Sequence, residues 1–111
     1  MLACLLNAPT TDEEWARWGF HHRQSHDAIV RAINARGGSL TYYQLDPIPL
    51  TEITDWLDRD QQAHNDMNAA LGTQGADLTE VDFDNANQKE AWIWLEFQEH
   101  FRVEAVLGIT S

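Results

Sequence analysis

Residues 50–71 read LTEITDWLDRDQQAHNDMNAAL, and the spacing within them decides the fold. Leu50, Ile53, Leu57, Asp60, His64, Met67 and Leu71 recur at alternating intervals of three and four. That is one stripe of a helix, narrow enough to act as a heptad-type seam. Asp46-Pro47-Ile48-Pro49 breaks the chain ahead of it, and proline is well tolerated in a first helical turn. Gly72 supplies a left-handed exit. The pattern predicts a helix from Pro49 or Leu50 to Leu71, with an acid and a histidine set into its apolar face.

Segments on either side carry the same period. A first helix is expected over Asp12–Arg36. Thr11 and Glu14 are spaced as a capping box, and Asp12, Glu13 and Glu14 suit the positive end of the helix dipole. Trp15, Trp18, His22, Ile29 and Ile33 share one face, and Gly37-Gly38 ends the run. A third helix is expected over Ala86–Leu107, capped by Asp84 or Asn85. Ile93, Phe97, His100, Val103 and Leu107 form one face, and Trp94, Phe101 and Ala105 another. A helix apolar on several sides is either central or shared with a neighbour. Three helices in a monomer do not easily surround one of their own number, so this points to assembly.

The connections read differently. Leu40, Tyr42, Tyr43 and Leu45 favour an extended path over Ser39–Ile48. The second loop, from Gly72 to about Asp84, is expected to be pinned by Leu78, Val81 and Phe83. The fold class that results is all-α: a three-helix bundle with two extended loops, forming a single helical domain over residues 1–111. Helices take residues 12–36, 49–71 and 86–107, and residues 1–10 form an N-terminal arm. A minor two-stranded β pairing between the loops is the only sheet the pattern allows. No internal repeat, linker or low-complexity tract stands out.

Composition narrows the function. In 111 residues there are 18 acidic and 7 basic side chains, a formal charge of −11. Long-range repulsion opposes direct contact with nucleic acid or anionic lipid, so neither is an expected partner. No apolar run approaches the roughly 20 residues that span a bilayer. A single cysteine, Cys4, excludes an intramolecular disulfide, and no nearby base lowers its pKa to make it a nucleophile. Met1–Leu6 is apolar but lacks the basic flank and length of a signal peptide. Leu2, Leu5 and Leu6 therefore read as an arm docking on a neighbouring subunit, or as an end folded back on its own core.

Each expected helix also places a polar pair, four residues apart, in or beside its apolar stripe. The pairs are His22 and His26, Asp60 and His64, and Glu96 and His100, with Glu104 one turn further on. Residues four apart project from the same face, so the stripes can gather all the pairs near one axis. The economical reading is a buried polar network without a cofactor, in which imidazoles and carboxylates satisfy one another and fix helix register. The alternative is a zinc or iron centre. Di-iron bundles of the ferritin type use Glu-x-x-His, whereas this chain has Glu-x-x-x-His. Haemerythrin-like sites use pairs four apart, but on four helices and with a different set of residues. Ser25 beside His26 is only a helical neighbour, and neither a phosphate loop nor an EF-hand is present. No enzymatic activity is expected.

Longer stretches carry a resemblance. They include Leu45-Asp46-Pro47, Trp56-Leu57, His64-Asn65-Asp66-Met67-Asn68, Gly75-Ala76-Asp77-Leu78, Ala91-Trp92-Ile93-Trp94-Leu95 and Glu99-His100. From about Trp15 onward the chain resembles small uncharacterised proteins of tailed bacteriophages and prophages, encoded near particle-assembly genes. The resemblance carries over no functional residues. It implies a non-enzymatic structural protein of the virion, oligomeric in the assembly and residing in the host cytoplasm beforehand. It would bind other phage structural proteins in the capsid, the tail or a neck such as a head–tail connector. Trp94, Phe101 and the leucines of the arm are the expected contacts. The alternatives are a metal-binding helical protein and a soluble phage-encoded regulator of a host protein.

Overall fold

The structure, a computed structural model, describes residues 8–109. Its helices are α1 (Asp12–Ala35), α2 (Thr54–Leu71) and α3 (Ala86–Leu107). Among the described residues there is no strand, so the bundle is all-α and the allowed β pairing between the loops does not form. The N-terminal leucines Leu2, Leu5 and Leu6, and Cys4 with them, lie outside the described residues.

Local signals account for most helix ends. Thr11 Oγ1 accepts the Glu14 amide proton, as in a capping box. The Glu14 carboxylate, however, takes the hydroxyls of Thr10 and Thr11 rather than reaching back to a backbone donor. Asn85 caps α3 by accepting from the amides of Asn87 and Gln88. Gly72 and Gly108 close α2 and α3 in the left-handed conformation, which glycine adopts without a Cβ clash.

The start of α2 departs from expectation. The helix begins at Thr54, not at Pro49 or Leu50, because Glu52 adopts φ +53° and interrupts any helical path through it. Leu50 consequently leaves the seam and is 65% exposed. The seam proper is Leu57, Asp60, His64 and Met67, all buried, with Leu71 at its margin.

The apolar core has two parts. One contains Trp18, Leu45, Ile48, Trp56, Leu57, Ala63, Trp92 and Ile93. The other contains Ile29, Ile33, Met67, Val103 and Leu107. Each helix enters the first part with its N-terminal half and the second with its C-terminal half, so all three run in the same sense. Parallel neighbours cannot be joined by a tight turn. α3, at 22 residues, spans roughly 33 Å. Each connection must retrace about that distance, which an extended chain covers with roughly 3.3 Å per residue. The two extended loops are these return paths. Leu40 packs on the second core part and Leu45 and Ile48 on the first. The second loop is fixed by Leu78, which is fully buried, and by Val81 and Phe83 at the edge of the first part.

Indole groups lock both returns. Trp56 Nε1 donates to the Leu45 carbonyl at 3.1 Å, and Trp92 Nε1 donates to the Leu78 carbonyl at 2.9 Å. Further along the second loop the Ala76 amide donates to Glu99 at 2.6 Å, and a Cβ on Gly75 would run into the Asn68 amide. Trp56→Ala should remove about 3–5 kcal/mol of stability, from lost packing and the orphaned Leu45 carbonyl. Trp56→Phe should cost less. Chemical denaturation midpoints for both variants check the ordering.

Candidate metal centre

The six residues of the polar seam meet between the two core parts. His22 and His26 come from α1, Asp60 and His64 from α2, and Glu96 and His100 from α3. Parallel helices put the three pairs at one level. Their side chains are at most 4% exposed. The ligand atoms of His22, His26, His64, Glu96 and His100 all lie within 4.8 Å of one another. The expected gathering of imidazoles and acids on one axis is therefore what the fold produces.

The individual approaches are short. Glu96 Oε2 lies 3.1 Å from His22 Nε2, 3.3 Å from His64 Nε2 and 3.4 Å from His100 Nε2. Asp60 Oδ1 lies 3.2 Å from both His22 Nε2 and His26 Nε2, and 3.5 Å from His64 Nε2. The Nε2 atoms of His22 and His26 are 3.1 Å apart.

Two of these approaches are hydrogen bonds, His22 Nε2 with Glu96 Oε2 and His26 Nε2 with His22 Nε2, but they leave much of the cluster unsatisfied. Both oxygens of Asp60, Glu96 Oε1, His64 Nε2 and His100 Nε2 are buried without a hydrogen-bond partner. Nδ1 of His22, His26 and His64 is buried without a partner as well. Leaving so many polar atoms unsatisfied in a low-dielectric interior costs several kcal/mol unless something else engages them.

Ser25 sharpens the point. Its hydroxyl donates to Glu104 Oε1 at 2.9 Å and lies 2.7 Å from His100 Nδ1. A serine has one proton to give, and the Glu104 carboxylate takes it. With Glu104 ionised, His100 then donates from Nδ1, and its Nε2 is left as an acceptor. That acceptor faces the Glu96 oxygen. Protonating His100 would relieve the repulsion, but burial and the neighbouring His64 and His22 push its pKa down to about 4. A cation between the two atoms would resolve the conflict.

The electrostatics of the cluster ask for positive charge. Burial works against charge on His22, yet Glu96 and Asp60 outweigh it and raise the pKa to about 9. His64 behaves alike, with Asp60 and Glu96 overcoming burial to hold it near 10. His26 is driven well below its ordinary value by burial and by His22 and His100. Burial pushes Asp60 up, but His64 and His22 bring it well below the usual carboxylate range. Two buried carboxylates thus require two compensating charges, which protonated His22 and His64, or a divalent cation in their place, would supply.

Two contacts from outside the six residues bear on them. Trp18 stacks on the His22 ring at 4.7 Å between centroids. Ser25 orients His100, as second-shell groups do for metal-bound imidazoles. Sequence reasoning gathered all six central residues but missed Ser25, which looked like a helical bystander.

It also missed a repeat. Trp18, His22 and His26 are spaced like Trp56, Asp60 and His64, and like Trp92, Glu96 and His100. Apolar residues follow at matching offsets: Ile29 and Ile33, Met67 and Leu71, Val103 and Leu107. The shared pattern is Trp-x-x-x-polar-x-x-x-His, then apolar positions three and seven residues on.

No protein-family model, curated protein or solved structure matches this chain. No helix among the described residues is long and apolar enough to cross a membrane.

Ser25→Ala should leave the fold intact while freeing the His100 ring to change tautomer. Metal affinity should fall by roughly 10–100-fold, the range for outer-shell contacts to metal ligands. Competition against a chelator of known affinity measures this, and an unchanged affinity removes Ser25 from the site.

Proposed function

We propose that this chain is a metal-binding helical protein that holds one divalent cation with His22, His26, Asp60, His64, Glu96 and His100. The observation that carries the reading is geometric: the ligand atoms of five buried residues, His22, His26, His64, Glu96 and His100, lie within 4.8 Å of one another, with Asp60 against three of them. The distances support it. Two ligands about 2.1 Å from one ion lie roughly 3.0 Å apart at a right angle and roughly 3.4 Å apart at the tetrahedral angle. The short approaches here run from 3.1 to 3.5 Å. A hydrogen-bonded network without a cofactor remains the competing account of the same residues, and its orphaned atoms weigh against it.

Binding would be coupled to stability, because the unfolded chain does not assemble the site. Protein purified without a histidine tag should contain about one equivalent of a first-row transition metal by elemental analysis. Chelation should lower the melting temperature, and an excess of metal at about 100 times Kd should restore about 2.7 kcal/mol. Glu96→Gln should abolish stoichiometric retention. Metal-free protein that melts identically with and without added ions would refute the reading.

A second reading concerns the outer face of α3. Trp94 is 47% exposed and Phe101 54% exposed, and Phe97 touches both rings. This aromatic strip supports a role as a non-enzymatic structural protein of a tailed phage particle, with the strip meeting other particle proteins. The two readings are compatible, since a buried ion would brace such a component. Trp94→Ser with Phe101→Ser should reduce incorporation into purified particles, scored by mass spectrometry, while the melting temperature stays within a few degrees. Absence of the wild-type chain from particles would dismiss this role.

A further inference from the structure

The pattern of which ligand atoms are neighbours, and which are not, specifies the coordination geometry. Resting on the metal-binding reading above, we infer that the site is a coordinatively saturated octahedral centre, with four imidazole nitrogens and two adjacent carboxylate oxygens. It would take an ion of the iron(II)-to-nickel(II) type in preference to tetrahedral zinc.

Six vertices of an octahedron leave three opposite pairs and make every other pair neighbours. The cluster has that connectivity. Asp60 meets His22, His26 and His64. Glu96 meets His22, His64 and His100. The two carboxylates are close enough to perturb each other's ionisation. The imidazole rings pack as His22 with His26 at 4.4 Å, His26 with His100 at 4.5 Å and His26 with His64 at 4.8 Å between centroids. His64 with His100 and His22 with His100 follow at 4.9 and 5.0 Å. The pairs that stand apart are His22 with His64, His26 with Glu96, and Asp60 with His100. No residue occurs twice among them, as opposite vertices require.

The ring distances agree. An imidazole bound through Nε2 has its centre roughly 3.2 Å from the ion, so rings at right angles are about 4.5 Å apart and opposite rings about 6.4 Å. Four tetrahedral imidazoles would instead make every pair equivalent. Here five pairs are close and the pair of His22 and His64 is not.

The repeat explains the arrangement. The first members of the pairs, His22, Asp60 and Glu96, make one triangular face. The second members, His26, His64 and His100, make the other. Each first member stands opposite the second member of the next helix: α1 to α2, α2 to α3, α3 to α1. Three parallel helices carrying one repeated unit thus present their six ligands as a trigonal antiprism, which is an octahedron viewed through two opposite faces.

Chemical consequences follow. Structural zinc is almost always four-coordinate, and copper(II) prefers tetragonal geometry. Imidazole suits iron and nickel, and two carboxylates neutralise a divalent ion. Facial-triad iron enzymes keep open positions for their substrates. Here the protein fills every position and buries it, so the ion is held without an exchangeable water. Its role is to brace the bundle.

Cobalt(II) added to metal-free protein is the probe. Octahedral cobalt(II) gives weak visible d–d bands, and tetrahedral cobalt(II) gives intense ones. The expected result is one bound equivalent, weak bands and no spectral change on adding azide. His26→Ala, loaded in the same way, should gain an azide response as a position opens. Intense bands, or an azide response in the wild type, would overturn the octahedral assignment while leaving metal binding intact. Failure of the wild-type protein to bind cobalt(II), nickel(II), iron(II) or zinc would overturn both. The wild-type spectrum decides the geometry whether or not the variant folds.

Discussion

Everything in this fold depends on three parallel helices bringing polar pairs to the same height. A buried carboxylate is costly unless it is paired or coordinated, and here two of them share one small volume with four imidazoles. The apolar core lies above and below that volume, contributed by residues one turn before and after each pair. A slip of one helix by a single turn would place a histidine against isoleucine and a carboxylate against tryptophan. The polar layer therefore sets helix register, while the apolar layers supply the driving force for burial.

Parallel packing has a cost that shows in the loops. An antiparallel bundle of this size could use short turns, with most of the chain in helices. Here two long segments return along the outside, and each needs anchoring to avoid becoming a mobile tether. The anchor is the same in both cases: an indole N–H, four residues before the first polar ligand, donates to a leucine carbonyl on the returning chain. One tryptophan thus covers the end of the polar layer and fixes the connection. Support and site are built from the same repeated unit, which ties loop integrity to site integrity.

Much of this was legible from the residues. Helical periodicity gave three helices, and spacing of four put His22 with His26, Asp60 with His64, and Glu96 with His100 on core faces. Amphipathic stripes carry no direction, however, so the parallel sense could not be read from them. The extended character of residues 39–48 was correctly anticipated, but a β partner was sought where the chain was only travelling. Pro49 misplaced the start of α2, because a proline that suits a first turn says nothing about the backbone at Glu52. The repeat stayed hidden because its first polar position is histidine in one copy, aspartate in the next and glutamate in the third. Residue identity differs where chemical role is shared.

The chemical variation at that position is itself informative. Three histidines there would give six neutral nitrogens and leave a divalent ion uncompensated in a buried site. Three carboxylates would give a net negative centre and stronger mutual repulsion. One histidine with two acids matches a charge of two while keeping four nitrogen donors, the composition that balances ion and ligands without solvent. The same balance explains why a proton network is a poor substitute. Protons on His22 and His64 can cancel the two carboxylates in charge, but in this arrangement both oxygens of Asp60 and Glu96 Oε1 still lack hydrogen-bond partners. Charge neutrality and directional satisfaction are separate requirements, and the proposed central cation would meet both at once.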